Sequence, residues 1–299
     1  MRVDPNYVTN LVSALDGAQA REQQLTSELS SGVRFNSLSD DPIAAGKNVL
    51  LLNQIQRDDS FTQSADLVTG QMQVADSALG SVVSQLNQAI SLATSANNGT
   101  MNASDVQSIG SQIAGILSEV ESLANTSYQG QYIFAGGRTS TVPFSTSSAT
   151  SPAVTTYAGD SDGNYLETPN GQRIQLNVPG DQIFLGAASV FAVLNNLVAD
   201  FSNGTANTAQ AQQDTQALTS ALHYVSQQRV TIDNSVTQLT AASGAISSEK
   251  TQLTASQVDL MQADLATVAT QLSLSKTQET ALESVIAQLG SGSLFDKLR

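Results

Sequence analysis

Residues 61–96 read FTQSADLVTGQMQVADSALGSVVSQLNQAISLATSA. Apolar residues recur every three or four positions: Phe61, Ala65, Val68, Met72, Ala75, Leu79, Val82, Leu86, Ala89 and Ala93. That spacing marks one face of an amphipathic helix or coiled coil. If the helix begins at Pro42, it runs for about 80 Å at ~1.5 Å per residue. Helices of that length belong to rods rather than compact globules.

Immediately before it lies SGVRFNSLSDDPIAAG, residues 31–46. Gly32 fits a helix C-terminus, because glycine tolerates the left-handed conformation found there. Pro42 suits a first helical turn, where no N–H is missed. Asp41 is placed to cap that helix, and Asp40 adds charge beside the positive end of its dipole. The stretch is therefore a joint between two helices. The earlier helix carries Val8, Leu11, Leu15, Ala18, Leu25 and Leu29 on one seam, interrupted by Glu22.

After 96–105, a turn by composition, a third helix carries Val106, Ile109, Ile113, Ile116, Val120 and Leu123, with Asn102 or Ser104 as its cap. The period then changes. QYIF at 131–134 and the region 154–184 read as short strands separated by Gly, Asp and Asn-Gly turns. Residues 190–201 return to a short helix. In the last third, Leu218, Leu222, Val225, Arg229, Ile232, Val236, Leu239, Ile246 and Leu253 hold the helical spacing. The phase then slips. A second seam runs Val258, Met261, Leu265, Val268, Leu272, Leu282, Ile286 and Leu289, with gaps at Ser275 and Glu279. The slip predicts a second joint near 253–258.

The expected fold is mainly α with a β-rich insertion. The N- and C-terminal thirds form a long antiparallel helical coiled-coil rod, with a small β domain at its distal tip. The expected divisions are 1–41 with 255–299 (terminal helices), 42–127 with 205–254 (helical rod) and 128–204 (β-rich outer domain). Single helices with one apolar seam are marginal in water, so the terminal helices are expected to order on association with other subunits.

Of the 299 residues 13% are charged and 5% aromatic, and the formal net charge is −14. Such a surface repels phosphate, which argues against nucleic acid and anionic membranes as partners. The absence of cysteine excludes disulfides and thiolate metal sites. MRVDPNYVTN lacks the apolar run of a cleaved leader, and no stretch reaches the ~18 apolar residues of a membrane span.

Catalytic constellations fare poorly. His223 is the single histidine and lies beside seam residue Leu222. Asp160, Asp162 and Asn164 are spaced like the start of a calcium loop, but position twelve is Gly171 rather than Glu; a turn is the better reading. Ser273 and Lys276 lack the companion motifs of an acylation site. GQYIFAGG has neither the lysine nor the spacing of a phosphate loop. The Asn-x-Ser/Thr triplets at Asn98, Asn102, Asn125 and Asn203 are expected by chance in a chain this rich in Asn, Ser and Thr. The residues point to no catalytic centre, no metal and no cofactor.

Here a resemblance takes over. Ser31-Gly-Val-Arg-Phe-Asn-Ser-Leu-Ser-Asp-Asp-Pro42 resembles the SG-x-R-(I/V)-N…DDP motif of bacterial flagellins and their relatives. Within that superfamily, YQGQYIFAGG at 128–137, TYAGDSDG at 156–163, NVPGDQIF at 177–184 and the final SLFDKL are similar to the branch that joins hook to filament. Phe35 stands where Ile or Val is common, and Lys297 where an aromatic is common.

The resemblance implies a structural, non-enzymatic protein of the extracellular flagellum, exported without cleavage through the flagellar type III apparatus. It implies self-association in a ring, the first hook-associated protein on one side, flagellin on the other, and an export chaperone. The terminal helices would build an inner tube, the rod the next layer, and the β domain would face outward. Inter-subunit contacts would fall on Leu11, Leu15, Leu25, Leu29, Arg34, Asn36, Leu265, Leu272, Leu282, Ile286 and Leu289, with Gly32, Asp40, Asp41 and Pro42 forming the joint. The competing readings are a minor flagellin, a glycan hydrolase using Asp160, Asp162, Glu167 or Asp181, and a cytoplasmic coiled-coil scaffold.

Overall fold

A computed structural model describes residues 7–35, 39–98, 100–186, 189–204, 206 and 209–291. Among these described residues, seven helices and six short strands follow in order. They are α1 (Tyr7–Ser31), α2 (Pro42–Ala96), α3 (Ala103–Ala124), β1 (Ser127–Tyr128), β2 (Gln131–Tyr132), β3 (Phe144–Ser147) and β4 (Val154–Tyr157). Then come β5 (Tyr165–Glu167), β6 (Arg173–Gln175), α4 (Gly180–Phe184), α5 (Val190–Ser202), α6 (Ala209–Met261) and α7 (Leu265–Ser291). The fold is helical, with long helices packed on one another and a small strand-bearing region. Packing divides the chain into two compact units, 1–56 with 249–299, and 57–248.

In the unit 57–248, the whole predicted stripe from Phe61 to Ala93 is buried. It is covered by the matching stripe of α6, where Leu218, Val225, Ile232 and Leu239 are buried, and by α3. The two long helices run antiparallel. Arg229 grips Asp76 with two hydrogen bonds of 2.7 and 2.9 Å, and Asn97 donates to Thr215 Oγ1 at 3.1 Å. Residue numbers rise along α2 as they fall along α6. Asn102 caps α3, accepting from Asp105 N at 2.9 Å. On its other side α3 packs against α5; Gly110 is needed there, because a Cβ would lie 3.0 Å from the Ser202 nitrogen and 3.1 Å from the Phe201 carbonyl carbon.

The strands form three two-stranded antiparallel ribbons, β1–β2, β3–β4 and β5–β6. Gln129 (φ 51°) and Gly130 (φ 80°) close the first, the two-residue turn whose positive φ angles match strand twist. Asn125, just past α3, holds β3 like an extra strand: Phe144 N donates to its Oδ1, and its Nδ2 donates to Phe144 O, both at 2.9 Å. The Phe144 ring packs on Phe184 (5.2 Å between centroids), Phe191 (5.1 Å) and Tyr157 (5.0 Å). Residues 180–184, expected as strand, are instead a turn of helix; Pro179 precedes it and Asp181 sits in its first turn, where a carboxylate favours helix.

The strand region meets the helices beside Gly70, where a Cβ would stand 2.8 Å from the Tyr128 hydroxyl, and beside Tyr224, which packs on Gly186. Gly70 is ~39 Å along α2 from Ala96, at ~1.5 Å per residue. The strand region thus packs on α2 at Gly70 and on α6 at Tyr224.

Phe144→Ala should destabilise this unit by about 3–5 kcal/mol, the usual cost of emptying an aromatic site. Arg229→Ala breaks a pair whose side chains are 33% and 28% exposed and should cost about 1 kcal/mol or less. Denaturant unfolding of the two variants checks the order; equal losses would mean that the ion pair contributes as much as the aromatic cluster and would contradict it.

Candidate functional site: a double joint and a two-helix seam

The candidate joint and the α1–α7 seam lie in the unit 1–56 with 249–299. Helix α1 ends at Gly32 (φ 68°), whose N–H still reaches Glu28 O at 2.9 Å. The chain then makes a single antiparallel bridge, Val33 to Gln262. Arg34 N donates to Met261 O at 2.7 Å, and Ala263 N donates to Gly32 O at 2.9 Å. Two breaks far apart in sequence are therefore stitched to each other. Phe35, 6% exposed, plugs the space beneath, against Ala44, Ala45, Leu260 and Met261.

Each break is followed by an aspartate cap. Asp41 Oδ1 accepts from Ala44 N at 2.9 Å, and its Oδ2 receives the Arg34 guanidinium at 2.8 Å. The Ala44 N–H first, then the charge of Arg34, hold the Asp41 carboxyl below its ordinary value. Asp264 caps α7 in the same way. Thr267 Oγ1 donates to its Oδ2 at 2.7 Å, and Ala266 N to its Oδ1 at 3.1 Å. These bonds, the Thr267 hydroxyl foremost, lower its carboxyl too. Asp40 is exposed and accepts from Ser39 Oγ at 3.5 Å. Pro42 opens α2 as the sequence predicts.

The second break does not fall at 253–258. Helix α6 continues through the phase slip to Met261, and the turn occupies Gln262–Asp264. A slip of seam changes which face is covered without breaking a backbone hydrogen bond, whereas Asp264 supplies the cap that starts a new helix. The seam expected to run unbroken from Val258 through Leu265 is thus split between α6 and α7.

Helices α1 and α7 pack along each other. Leu25 and Val268 are buried and Leu272 packs on them. Leu11, Leu15, Leu282 and Ile286 are half-buried, while Leu29 and Leu265 remain 39% and 49% exposed. The polar gaps of the two seams meet one another. Ser275 Oγ donates to Ala18 O at 3.4 Å, Gln19 Nε2 to Glu279 Oε1 at 3.1 Å, and Lys276 Nζ lies 3.6 Å from Glu22 Oε1. A hydrogen bond with the Glu279 carboxyl, then desolvation and the charge of Glu279, raise the Glu22 carboxyl above its ordinary value, against the opposing pull of Lys276. Asn36 lies outside the described residues, as does the side chain of Leu289.

The residues singled out for chemistry lie at surface and turn positions. His223 is exposed. The Asp160 carboxylate accepts from Gly137 N at 2.6 Å and Asp162 N at 3.2 Å. That is turn geometry, and it explains the glycine pair: a Cβ on Gly136 would lie 2.2 Å from Asp160 Oδ1. Among the described residues no cluster of three or more His, Cys, Asp or Glu could hold a metal, and no helix is long and apolar enough to cross a membrane.

Residues 6–139 match the bacterial flagellin N-terminal helical region. The chain is 28% identical over 218 residues to flagellar hook-associated protein 3 of Escherichia coli, covering 68% of this chain and 67% of that one. It is 28% identical to flagellar hook-associated protein 3 of Salmonella typhimurium, over 60% of this chain and 54% of the relative. So the chain spans about two thirds and about half of these relatives. It is 22% identical to a Bacillus subtilis flagellin, over 96% of both. Among solved structures, flagellar hook associated protein-3 from Legionella pneumophila has a TM-score of 0.62 at 14% identity, covering 71% of this chain and 98% of that one. That likeness speaks to the fold.

The seam has a definite pH behaviour. A raised Glu22 pKa means that its contribution is fully present below the ordinary 4.5 and is lost as pH rises through the folded value. The lowered Asp41 and Asp264 carboxyls contribute above the ordinary 3.8 and lose their effect as pH falls through their folded values. Glu279→Gln should therefore raise amide protection of α1 and α7 at pH 7 and flatten its fall above 4.5. Hydrogen exchange, corrected for intrinsic rates, checks this; unchanged protection in the variant would contradict it. Taken together, residues 6–139 match a bacterial flagellin N-terminal helical region, and the chain is similar to flagellar hook-associated protein 3 and to flagellin over the stretches given above.

Proposed function

We propose that the chain is a structural component of the bacterial flagellum that joins the hook-associated proteins to the flagellin filament. The observation that carries this reading is the stitched double joint, built on the SGVRFNSLSDDP segment of a flagellin-type N-terminal region. The curated relatives named hook-associated protein 3 support the same place in the flagellum.

In this reading the chain self-associates in a ring. The first hook-associated protein contacts it on the hook side and flagellin on the filament side, and a chaperone escorts it to export. Residues 1–41 with 255–299 form the inner layer, 42–127 with 205–254 the rod, and 128–204 the outer domain. Leu11, Leu15, Leu25, Leu29, Arg34, Asn36, Leu265, Leu272, Leu282, Ile286 and Leu289 supply contacts between subunits. The function is mechanical and has no turnover. A minor flagellin is the second reading, favoured by the match to Bacillus subtilis flagellin along 96% of both chains.

Deleting the gene separates the two. The junction reading expects hooks without filaments by electron microscopy, with flagellin released into the medium. Loss of only part of the filament mass would favour the minor flagellin. Leu272→Asp places a charge in the α1–α7 seam and should abolish attachment while the unit 57–248 stays folded by circular dichroism and proteolysis. Normal filaments on that variant would sink the assignment of the terminal helices to assembly.

A further inference from the structure

Asparagine is followed by glycine at Asn98, Asn170 and Asn203. In such a pair the glycine nitrogen can attack the side-chain amide of the asparagine, and the missing Cβ leaves that approach open. Gly99 lies outside the described residues. The other two pairs sit in very different surroundings. Asn203 follows α5. Its Nδ2 donates to Ala199 O at 3.0 Å, and Gly204 N donates to Phe201 O at 2.9 Å. A Cβ on Gly204 would lie 3.1 Å from Ala103 Cβ, so the start of α3 covers the glycine. Both reacting groups are held. Asn170 sits instead in the turn Thr168-Pro169-Asn170-Gly171 between β5 and β6. Gly171 N donates to Thr168 O at 2.8 Å, and the Gly171 φ of 83° suits glycine. The turn itself therefore calls for the glycine that follows Asn170. Asn170 and Gly171 are exposed. Nothing lies within 4 Å of where a Gly171 Cβ would be, and among the described residues the Asn170 amide has no hydrogen-bond partner. The strands that this turn closes have three residues each, and such a ribbon end opens locally at low cost.

We infer that Asn170 is a site of spontaneous covalent modification, and that it reacts well before Asn203. When the turn opens, the Gly171 nitrogen gives up its proton and bonds to Asn170 Cγ. The bond from Cγ to the side-chain nitrogen breaks, and that nitrogen leaves as ammonia. Water then opens the resulting cyclic imide at one of its two carbonyls. The product is an aspartate, or an isoaspartate whose main chain runs through Cβ. Water enters, ammonia leaves, and nothing is oxidised or reduced. Both products put a carboxylate where a neutral amide stood. The isoaspartate also lengthens the turn by one bond, and the strain falls on Thr168. That residue is 6% exposed; its N–H donates to Gln172 O at 2.8 Å, and its Oγ1 accepts from Gln172 N at 3.0 Å. These bonds hold the register that pairs Leu166 with Ile174 and buries Ile174. Modification at 170 therefore loosens the β5–β6 ribbon from its turn inward. The chemistry needs no partner and does not depend on the flagellar role.

The purified full-length chain, kept in warm, mildly alkaline buffer and followed by peptide mass spectrometry, tests this. The peptide that contains Asn170 should show exchange of amide for acid, with isoaspartate resolved from aspartate by chromatography. It should react about tenfold faster than the peptide with Asn203, where a further hydrogen bond and the Ala103 packing must first be broken. In denaturant the two rates should converge. Equal rates in the folded chain, or Asn203 reacting first, would overturn the inference. So would a tenfold gap that persists in denaturant, because neighbouring sequence rather than the turn would then set it. Hydrogen exchange at Thr168 and Gln172 should quicken in the aged chain and stay unchanged in an equally aged Asn170→Ser variant. Equal exchange in aged and fresh wild-type chain would overturn the loosening of the ribbon.

Discussion

A stripe of apolar side chains on a helix of 55 residues must be covered along its length. No local element can do that. A second helix of similar length, running the other way, can, and α6 with its 53 residues supplies it. This one requirement dictates the topology. The chain must leave α2, build something that reverses direction, and return in register. Everything between residues 97 and 208 is placed on that return path, and the strand region is attached to α3 and α5 rather than being an independent core. The Asp76–Arg229 and Asn97–Thr215 contacts fix the stagger of two surfaces that burial alone would let slide.

The same logic governs the shorter pair α1 and α7, with a different chemical solution. Their seam is thinner in large apolar residues and carries Glu22, Ser275 and Glu279 where aliphatics would otherwise stand. Because these gaps coincide across the pair, they form a local polar cluster instead of isolated buried charges, which would be far more costly. Such a cluster specifies the alignment of two helices at some expense in stability, much as a polar residue at a core position fixes register in coiled coils.

Most of the helical architecture was legible in advance because period is a strong signal. Between Phe61 and Ala93 the spacing picks out every buried residue of α2 except Ala78, and Asn102 caps α3 as its composition suggests. What escaped was non-local. The cradle that Gly136 and Gly137 form for Asp160 joins positions 23 residues apart. The pairing of polar gaps between α1 and α7 needs both helices at once. The break at 262–264 was hidden because Asp264 is followed by Leu-Ala-Thr, which lacks the proline that flags Asp41. The phase slip eight residues earlier looked like a break and was only a change of covered face. In the joint, the capping roles of Gly32, Asp41 and Pro42 could be read locally. The bridge from Val33 to Gln262, which converts two turns into one structure, could not.

That bridge also constrains order in time. Synthesis proceeds from the N-terminus, so Gly32 and Arg34 exist long before Met261 and Ala263, with which they bond. Until then α1 can form as a local helix, but its angle to α2 has no fixed value, since the carbonyl and amide that set it have no partners. The direction of the N-terminal arm is therefore among the last geometric facts the chain acquires. A truncated chain ending before 261 would keep its joint sequence complete and yet lack the groups that set its angle.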